Sequence, residues 1–326
     1  MICKVCGNSE NNKEFKIREM MFGFRDEFTY FECSKCGCLQ INEIPKNMGK
    51  YYPSIYYSFK RNNKSNKFIK SFLKRKRDVY ALFKKDFIGK MLCKKCPPNA
   101  LFEEISKIKV NYNSKILDIG CGAGNFLYSL NEIGFKNLVG IDPYLDEVVE
   151  RDIKIYNKNV HKLSNNQEYN LIIFNHSFEH IPDQLETLLK VPKILTKNGV
   201  CLIRMPIKTD YIWNRYGANW VQIDAPRHFY LHTIKSFKFL VEKSGLKLHD
   251  IIFDSTEFQF WGSEQYKQNI PLREENSYSI NPKKSIFTTE QIVKYKKMAK
   301  ELNKNDQGDQ AAFILKNIDN QSNILL

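Results

Sequence analysis

Three groups of residues carry the chemistry legible in this chain. The first is cysteine: Cys3 with Cys6, and Cys33 with Cys36, form two C-x-x-C pairs, each followed at once by glycine in CKVCG and CSKCG. A knuckle of this kind aims two thiolates at one point, and the glycine permits the tight turn behind them. Two knuckles make a tetrahedral sulfur site that suits a structural zinc ion, because four thiolates leave no open position for a reacting molecule. Cys38 in CGCLQ is then a bystander, and Cys93 with Cys96 in MLCKKCPPN is a third pair lacking a partner knuckle. The second group lies in KILDIGCGAGNF, residues 115–126, where Gly120, Gly122 and Gly124 follow Asp118 at G-x-G-x-G spacing. A dinucleotide fingerprint places its third glycine one residue later, and a phosphate-binding P-loop needs Gly-Lys-Ser/Thr, so neither pattern is met. The third group is histidine, of which there are six; His180 in FEHIPD and His228 in IDAPRHFYLHT are the candidates for moving a proton near neutral pH.

These residues need elements to position them. From about residue 112 the chain alternates strand-like and helix-like runs: KILDI, then NFLYSLNEIG; NLVGID, then YLDEVVER; IKIY; NLIIFN, then QLETLLKVPKIL; and GVCLIRMP. A sixth strand is expected at 247–253 and a closing strand at 311–316. Such alternation implies a parallel sheet covered by helices, with ligands bound beyond the carboxyl ends of the strands. Asp118 then ends the first strand at the mouth of the site, and Asp142 ends the second, placed to accept hydrogen bonds from both hydroxyls of a ribose. An extra carboxylate beside the glycine loop would repel a pyrophosphate. It favours a ligand carrying an amino group and a positive sulfur.

LDIGCGAGNF, GID and NLIIFNHSFEHIPD, in that order, resemble the successive motifs of class I S-adenosylmethionine-dependent methyltransferases, over roughly residues 112–254 plus the closing strand. The resemblance implies an α/β fold with a Rossmann-like seven-stranded sheet. It implies that Asp118, Gly120, Gly122 and Gly124 surround the methionine part of S-adenosylmethionine and that Asp142 holds its ribose. The adenine-side residue should lie near Asn159 or Val160. The opening cysteines and the tyrosine-rich YYPSIYYSF resemble the zinc module of nucleotide-sugar C-methyltransferases. That family has an essential histidine where His180 stands, a Glu-His pair where this chain has Arg227-His228, and a tyrosine-rich segment facing the acceptor, which makes Tyr57 a candidate beside a plain packing role. It normally ends in a sizeable further domain, whereas here only residues 254–326 follow the sixth strand. This shifts the expectation from C-methylation of a keto sugar toward O-methylation of a surface-polysaccharide sugar, sugar nucleotide or phosphorylated precursor.

Methyl transfer from a sulfonium is an in-line displacement, so the protein must align the acceptor and, for a hydroxyl, remove its proton. His228 and His180 are the expected bases. His176 is open to a packing role, His161 and His249 read as peripheral, and His232 as a residue at a helix start. The loop YIWNRYGANWVQIDAPRH is long for its position; its aromatics, Tyr216 and Trp220 among them, could form a lid. Arg227 could hold a phosphate or carboxylate, or pair internally with Asp224 and stiffen the loop. Ser263 and Gln265, in FQFWGSEQYKQNIPL, could hydrogen-bond a polyhydroxylated acceptor.

The expected organisation is a zinc ribbon over 1–45, a basic, tyrosine-rich helical linker over 46–105, and the catalytic domain over 106–326 with substrate-side insertions at 206–230 and 255–309. A net charge of +15 suits an anionic partner. The basic stretch around Phe68, Ile69, Phe72 and Leu73 has helical periodicity and could lie on anionic lipid or simply be solvated, and no nucleic-acid-binding motif stands out. No apolar run reaches membrane-spanning length and the first residues lack a signal-peptide pattern, so a cytoplasmic protein is expected.

Overall fold

KEFKIR and EFTYFE are short β-favouring runs on either side of Gly23, and they pair as antiparallel strands β1 (Lys13–Arg18) and β2 (Glu27–Glu32), with Lys13 opposite Glu32 and Arg18 opposite Glu27. Strand β3 (Leu39–Ile41) adds to β2 just after the second cysteine knuckle. Gly37, with φ of 74°, closes that knuckle by donating its N–H to the Cys33 carbonyl at 2.8 Å. This is a computed structural model, and it describes residues 1–53, 68–145, 148–150 and 153–318.

The described chain divides into two compact units. The first gathers Met1–Pro53, Phe178–Glu186 and Arg204–Phe313; the second holds the rest. The ribbon therefore shares one unit with both substrate-side insertions. Its sheet is completed by β10 (Tyr230–Leu231), antiparallel to β3, so the four strands run β1-β2-β3-β10.

A buried ionic knot joins the same parts of this unit. Glu19, fully buried, accepts backbone N–H bonds from Met21, Phe22 and Phe24 at 3.1, 3.0 and 2.9 Å. It also takes Nη2 of the fully buried Arg227 at 2.8 Å. Arg227 forks onto Asp224 at 2.9 and 2.7 Å and donates to the Tyr51 carbonyl at 3.1 Å. The first unit also holds the helices α6 (Asp210–Tyr216), α7 (Ile234–Glu242), α8 (Phe258–Lys267) and α9 (Thr289–Lys304), and strand β11 (Leu246–Phe253). Thr233 with Ser236 and Thr288 with Gln291 form capping boxes that start α7 and α9 by satisfying orphan N–H groups.

The second unit opens with α1 (Phe68–Phe83), α2 (Phe87–Lys95) and α3 (Ala100–Ile105). Strand β4 (Ile116–Ile119) leads through the glycine turn to α4 (Asn125–Glu132), then β5 (Leu138–Ile141), β7 (Lys154–Tyr156) and β8 (Tyr169–Asn175). Strand β4 is parallel to both β5 and β8, with Asp118 opposite Gly140 and Ile173, and the four β4 side chains are all buried. Helix α5 (Gln184–Ile194) precedes β9 (Leu195–Pro206), which, like β12 (Gln310–Asn317), begins in one unit and ends in the other.

The larger sheet is ordered β11-β12-β9-β8-β4-β5-β7, the expected seven strands, with a two-residue strand, β6 (Val149–Glu150), added antiparallel at the β7 edge. A helix is expected over YLDEVVER, whereas the described residues there hold a turn at Pro143 and Tyr144 and strand β6. Pro143 and an Asx-type bond from the Tyr144 N–H to Asp142 Oδ1, at 2.9 Å, compete with helix initiation. Asp146, Glu147, Arg151 and Asp152 lie outside the described residues.

Arg227→Met leaves Glu19 and Asp224 buried without their cation, which should cost about 3–5 kcal/mol. Urea unfolding should show the loss, and Arg227→Lys should recover only part of it, since an ammonium lacks the planar fork. A midpoint unchanged in Arg227→Met would remove the knot from the account.

Candidate functional site

The ends of β4 and β5, in the second unit, bring two carboxylates to the glycine turn. Asp142 is 7% exposed; its Oδ2 takes the Gly122 N–H at 3.0 Å and its Oδ1 takes that of Tyr144, so the carboxylate clamps the glycine loop and keeps lone pairs on both oxygens. Burial pushes its pKa up against those bonds. Asp118 is 5% exposed, and burial together with the charge of Asp142 raises it to about 7. A buried acid pair of this kind is relieved by a cation, and the donor set fits the ammonium and sulfonium of S-adenosylmethionine on one side and ribose hydroxyls on the other.

The glycines have a second reason to be glycine. Gly120 has φ of 76°, and a Cβ there would stand 2.4 Å from Ser177 Cβ; Ser177 Oγ in turn donates to the Ile119 carbonyl at 2.6 Å. The loop is shaped by close internal packing as well as by access for a ligand. Asn159 is exposed and its Oδ1 accepts the His161 N–H at 3.1 Å, capping a short turn, while Val160 is buried beside it. An open depression lined by Lys115, Lys136, Lys154 and Glu168 lies at the opposite, amino ends of these strands.

In the first unit the structure brings His180 and His228 together, with ring centroids 4.8 Å apart and the planes at 73°. Each ring is anchored through Nδ1: His180 to the Arg227 carbonyl at 2.8 Å, His228 to the Gln222 carbonyl at 2.7 Å. A carbonyl only accepts, so both Nδ1 atoms carry a proton, and Nε2 is the ring nitrogen each histidine turns away from that anchor. Nε2 of His228 faces Glu179 Oε1 at 3.9 Å and Asp224 Oδ2 at 3.8 Å. Enclosure and the neighbouring His228 push His180 down to about 4, so it is neutral at physiological pH. Tyr52 Oη reaches Nδ1 of His180 at 3.2 Å. The ligand atoms of Glu179, His180 and His228 lie within 4.8 Å of one another, so the trio could share a proton or close on a cation.

His232 is a different case. It is fully buried, bonded to Ser236 and Gln184 at 3.0 and 2.8 Å, and held down to about 3 by desolvation. His161 and His249 are exposed, and His176 sits directly after β8 with φ of 50°.

The expected acceptor-binding side chains are turned inward. Arg227 has the internal pairing with Asp224, extended to Glu19, and no exposed face for a phosphate. Trp220 is fully buried with Nε1 on Asp309 at 2.9 Å, so it is not a surface lid. Tyr216 donates to Glu264 at 2.9 Å. Ser263 donates to the Gln259 carbonyl at 2.7 Å and accepts the Val221 N–H at 3.0 Å. Gln265 bonds Ser277 at 3.1 Å and the Tyr278 N–H at 2.8 Å. Burial forces each polar group to find an internal partner; the bonds of Tyr216, Trp220, Ser263 and Arg227 hold the loop that ends in His228, while Gln265 bonds within its own insertion. Tyr57 lies outside the described residues. Asp224 was expected only as the partner of Arg227, and Glu179 and Tyr52 were missed: Glu179 reads in sequence as part of a helix-capping motif, and Tyr52 stands just ahead of the tyrosine run that pointed to Tyr57.

The four ribbon cysteines also converge, with Sγ separations of 3.6 Å for Cys3–Cys36 and 3.5 Å for Cys6–Cys33. Bonds of about 2.3 Å at tetrahedral angles need edges of about 3.8 Å, so the set fits zinc. Gln40 Nε2 donates to Cys3 at 3.1 Å, an outer contact that fixes a ligand's orientation. Cys38 is buried outside the four, and Cys93 contacts the Arg77 carbonyl at 3.5 Å.

The acid pair has a consequence for stability. An acid whose native pKa exceeds its unfolded value binds its proton more tightly when folded, so its contribution is complete below about pH 4. For Asp118 that contribution is lost as pH rises to about 7. Asp309, also raised to about 7, acts in the same direction. Urea midpoints of the ligand-free protein should therefore fall less between pH 5 and pH 8 in Asp118→Asn than in the native chain; an identical fall would mean that Asp118 is not held as an acid.

Comparison with known proteins agrees with this geometry. Residues 91–251 match the family model described as a methyltransferase domain. The chain is 31% identical over 165 residues to the ubiquinone biosynthesis O-methyltransferase of Rickettsia bellii strain OSU 85-389, covering 45% of this chain and 69% of the relative. The protein of strain RML369-C matches equally. Among solved structures, the cyclopropane synthase MmaA2 of Mycobacterium tuberculosis aligns at TM-score 0.44 and 16% identity over 78% of this chain and 99% of its own. A SAM-dependent methyltransferase of Archaeoglobus fulgidus aligns at TM-score 0.41 and 20% identity over 71% and 100%. Likenesses at these scores carry no argument. The motif order, the strand order and the Rickettsia relatives do: the chain belongs to the class I S-adenosylmethionine-dependent methyltransferases.

Proposed function

We propose that this methyltransferase acts on a hydroxyl of a sugar, sugar nucleotide or phosphorylated surface-glycan precursor, with the histidine pair removing the proton. S-adenosylmethionine, when bound, supplies a methyl group already activated on a positive sulfur. The chain's own residues then have three tasks. Asp118 balances positive charge, Asp142 accepts from the ribose, and a histidine takes the proton that the acceptor loses.

The observation that carries the reading is the pair of adjacent rings, each fixed by an Nδ1–H to a backbone carbonyl so that Nε2 is the nitrogen left to exchange a proton. A base must hold one tautomer to work, and here the backbone sets it. His228 is favoured because Glu179 and Asp224 stand 3.9 and 3.8 Å from its Nε2, where they stabilise the imidazolium that forms. His180 stands beside it as the neutral partner. Tyr216, Trp220, Arg227 and Ser263 act as positioning residues for the loop, and Gln265 holds the second insertion together. The tetracysteine ribbon, holding structural zinc, supports the same loop through β3 and Glu19. The Rickettsia relative, an O-methyltransferase, favours oxygen as the acceptor atom; its role in ubiquinone biosynthesis is that protein's own.

A second reading, C-methylation of a 4-keto nucleotide sugar, is supported by the cysteine-ribbon resemblance and uses the same histidines. Exchange of the substrate's α-proton with deuterated water separates the two, since a carbanion must form only in C-methylation. A third, a binding module on an inactive core, is opposed by the intact acid pair.

Labelled S-adenosylmethionine incubated with a panel of sugar nucleotides and read by mass tests the proposal. His228→Ala should lower kcat by about 10²-fold or more with cofactor affinity retained. Asp142→Ala should weaken cofactor binding at least tenfold by calorimetry with the fold intact. Equal loss of turnover and cofactor affinity in His228→Ala would make that residue structural. Activity that survives EDTA at a concentration leaving the cysteine site loaded would favour proton transfer over a cation in the histidine cluster.

A further inference from the structure

Helices α1 and α2 each expose apolar side chains among positive charge. Of the sixteen large hydrophobic side chains exposed among the described residues, six fall here: Ile69, Phe72 and Leu73 on α1, at 71, 47 and 36%, and Phe87, Ile88 and Met91 on α2, at 76, 50 and 53%. Such clustering is unlike the single scattered apolar residues of an ordinary surface.

The packing of the hairpin explains why these side chains are outside. A Cβ on Gly89 would stand 2.3 Å from the Lys76 carbonyl oxygen and 2.6 Å from Tyr80 Cβ, so the Gly89 face of α2 lies against α1. Residues two before and two after lie about 160° round the helix, which turns Phe87 and Met91 away from α1. On α1, Ile69, Phe72, Leu73 and Lys76 follow i, i+3, i+4, i+7 spacing and form one stripe, with Lys76 Nζ 5.6 Å from the Phe72 ring centre.

The exposed charge of the two helices is predominantly positive, although Glu132 of α4 pairs with Lys74 at 2.9 Å and Glu103 of α3 is exposed nearby. Lys70, Arg75, Lys84, Lys85, Lys90, Lys94 and Lys95 are all exposed. The acidic residues of both helices and their turn are Asp78, buried against Arg77, and Asp86, paired with Lys76 at 2.6 Å. A second copy of this chain, itself at +15, would bring like charge to the face. A nucleic-acid groove would be expected to offer stacking rings, whereas four of the six apolar groups here are aliphatic. Aliphatic and aromatic side chains in a field of lysines match an anionic lipid surface, where apolar groups enter the acyl boundary and lysines meet head groups.

We propose that the α1–α2 face docks this methyltransferase on anionic membrane. The test is sedimentation of the full-length, zinc-loaded protein with vesicles of phosphatidylcholine alone or with 30% phosphatidylglycerol. Binding should require the anionic lipid and weaken as salt rises from 50 to 300 mM. Phe72→Ser with Phe87→Ser should lower the partition constant at least tenfold. A charge variant, Lys84→Gln with Lys85→Gln and Lys90→Gln, provides an independent reading should the serine variant unfold, and should reduce binding several-fold. Absence of vesicle binding would overturn the proposal. So would binding unchanged in both variants, a concentration-dependent dimer that buries the face, or preference for single-stranded RNA over vesicles.

Discussion

A guanidinium buried between two carboxylates holds the unit that carries the histidine pair in shape. Arg227 reaches Glu19 from one side and Asp224 from the other, and all of Arg227 and Glu19 is removed from solvent. In that environment removing any one member leaves an uncompensated charge, so the geometry is close to all-or-none. Arg227 also precedes His228 directly, and its own carbonyl anchors His180. Glu19 comes from the ribbon, whose Tyr30 donates to the His228 carbonyl at 2.8 Å and whose β3 pairs with the strand that follows His228. The cysteine module is therefore part of the scaffold on which His180 and His228 are fixed.

The second unit solves a different electrostatic problem. Two carboxylates, Asp118 and Asp142, sit almost out of solvent at the ends of neighbouring strands, and their burial raises both. An arrangement that costs stability when empty is suited to a cationic ligand, whose binding returns the lost energy. Stability is sacrificed where binding is needed, as is common at functional sites.

Much of this was legible in the sequence, and the reason is local. The cysteine knuckles, the glycine turn and Asp142 are defined by neighbours within a few residues, so spacing alone singles them out. The alternation of apolar runs implies the parallel sheet, and the family resemblance its seven strands; their order comes from the structure. What sequence could not show were partnerships across long separations: Glu19 with Arg227, Trp220 with Asp309, His232 with Gln184. Side chains such as Ser263 and Gln265 look like ligand-binding groups until burial and their internal partners are known. The expected helix after Asp142 failed because one carboxylate oxygen captured the Tyr144 N–H, a local competition that periodicity does not register. The division into a ribbon, a linker and a catalytic domain likewise follows sequence order, whereas the structure groups the ribbon with the two insertions.

The ribbon's control over the histidines can be measured directly. Ring nitrogen and carbon-bound proton resonances of His180 and His228 should be recorded in the zinc-loaded protein and again after the metal is withdrawn with a strong chelator. If the ribbon holds the loop through Glu19, both histidines should lose their fixed Nδ1–H tautomer signature on chelation and regain it when zinc is restored. Histidine spectra indifferent to the metal, in a protein shown to have released it, would contradict the central claim.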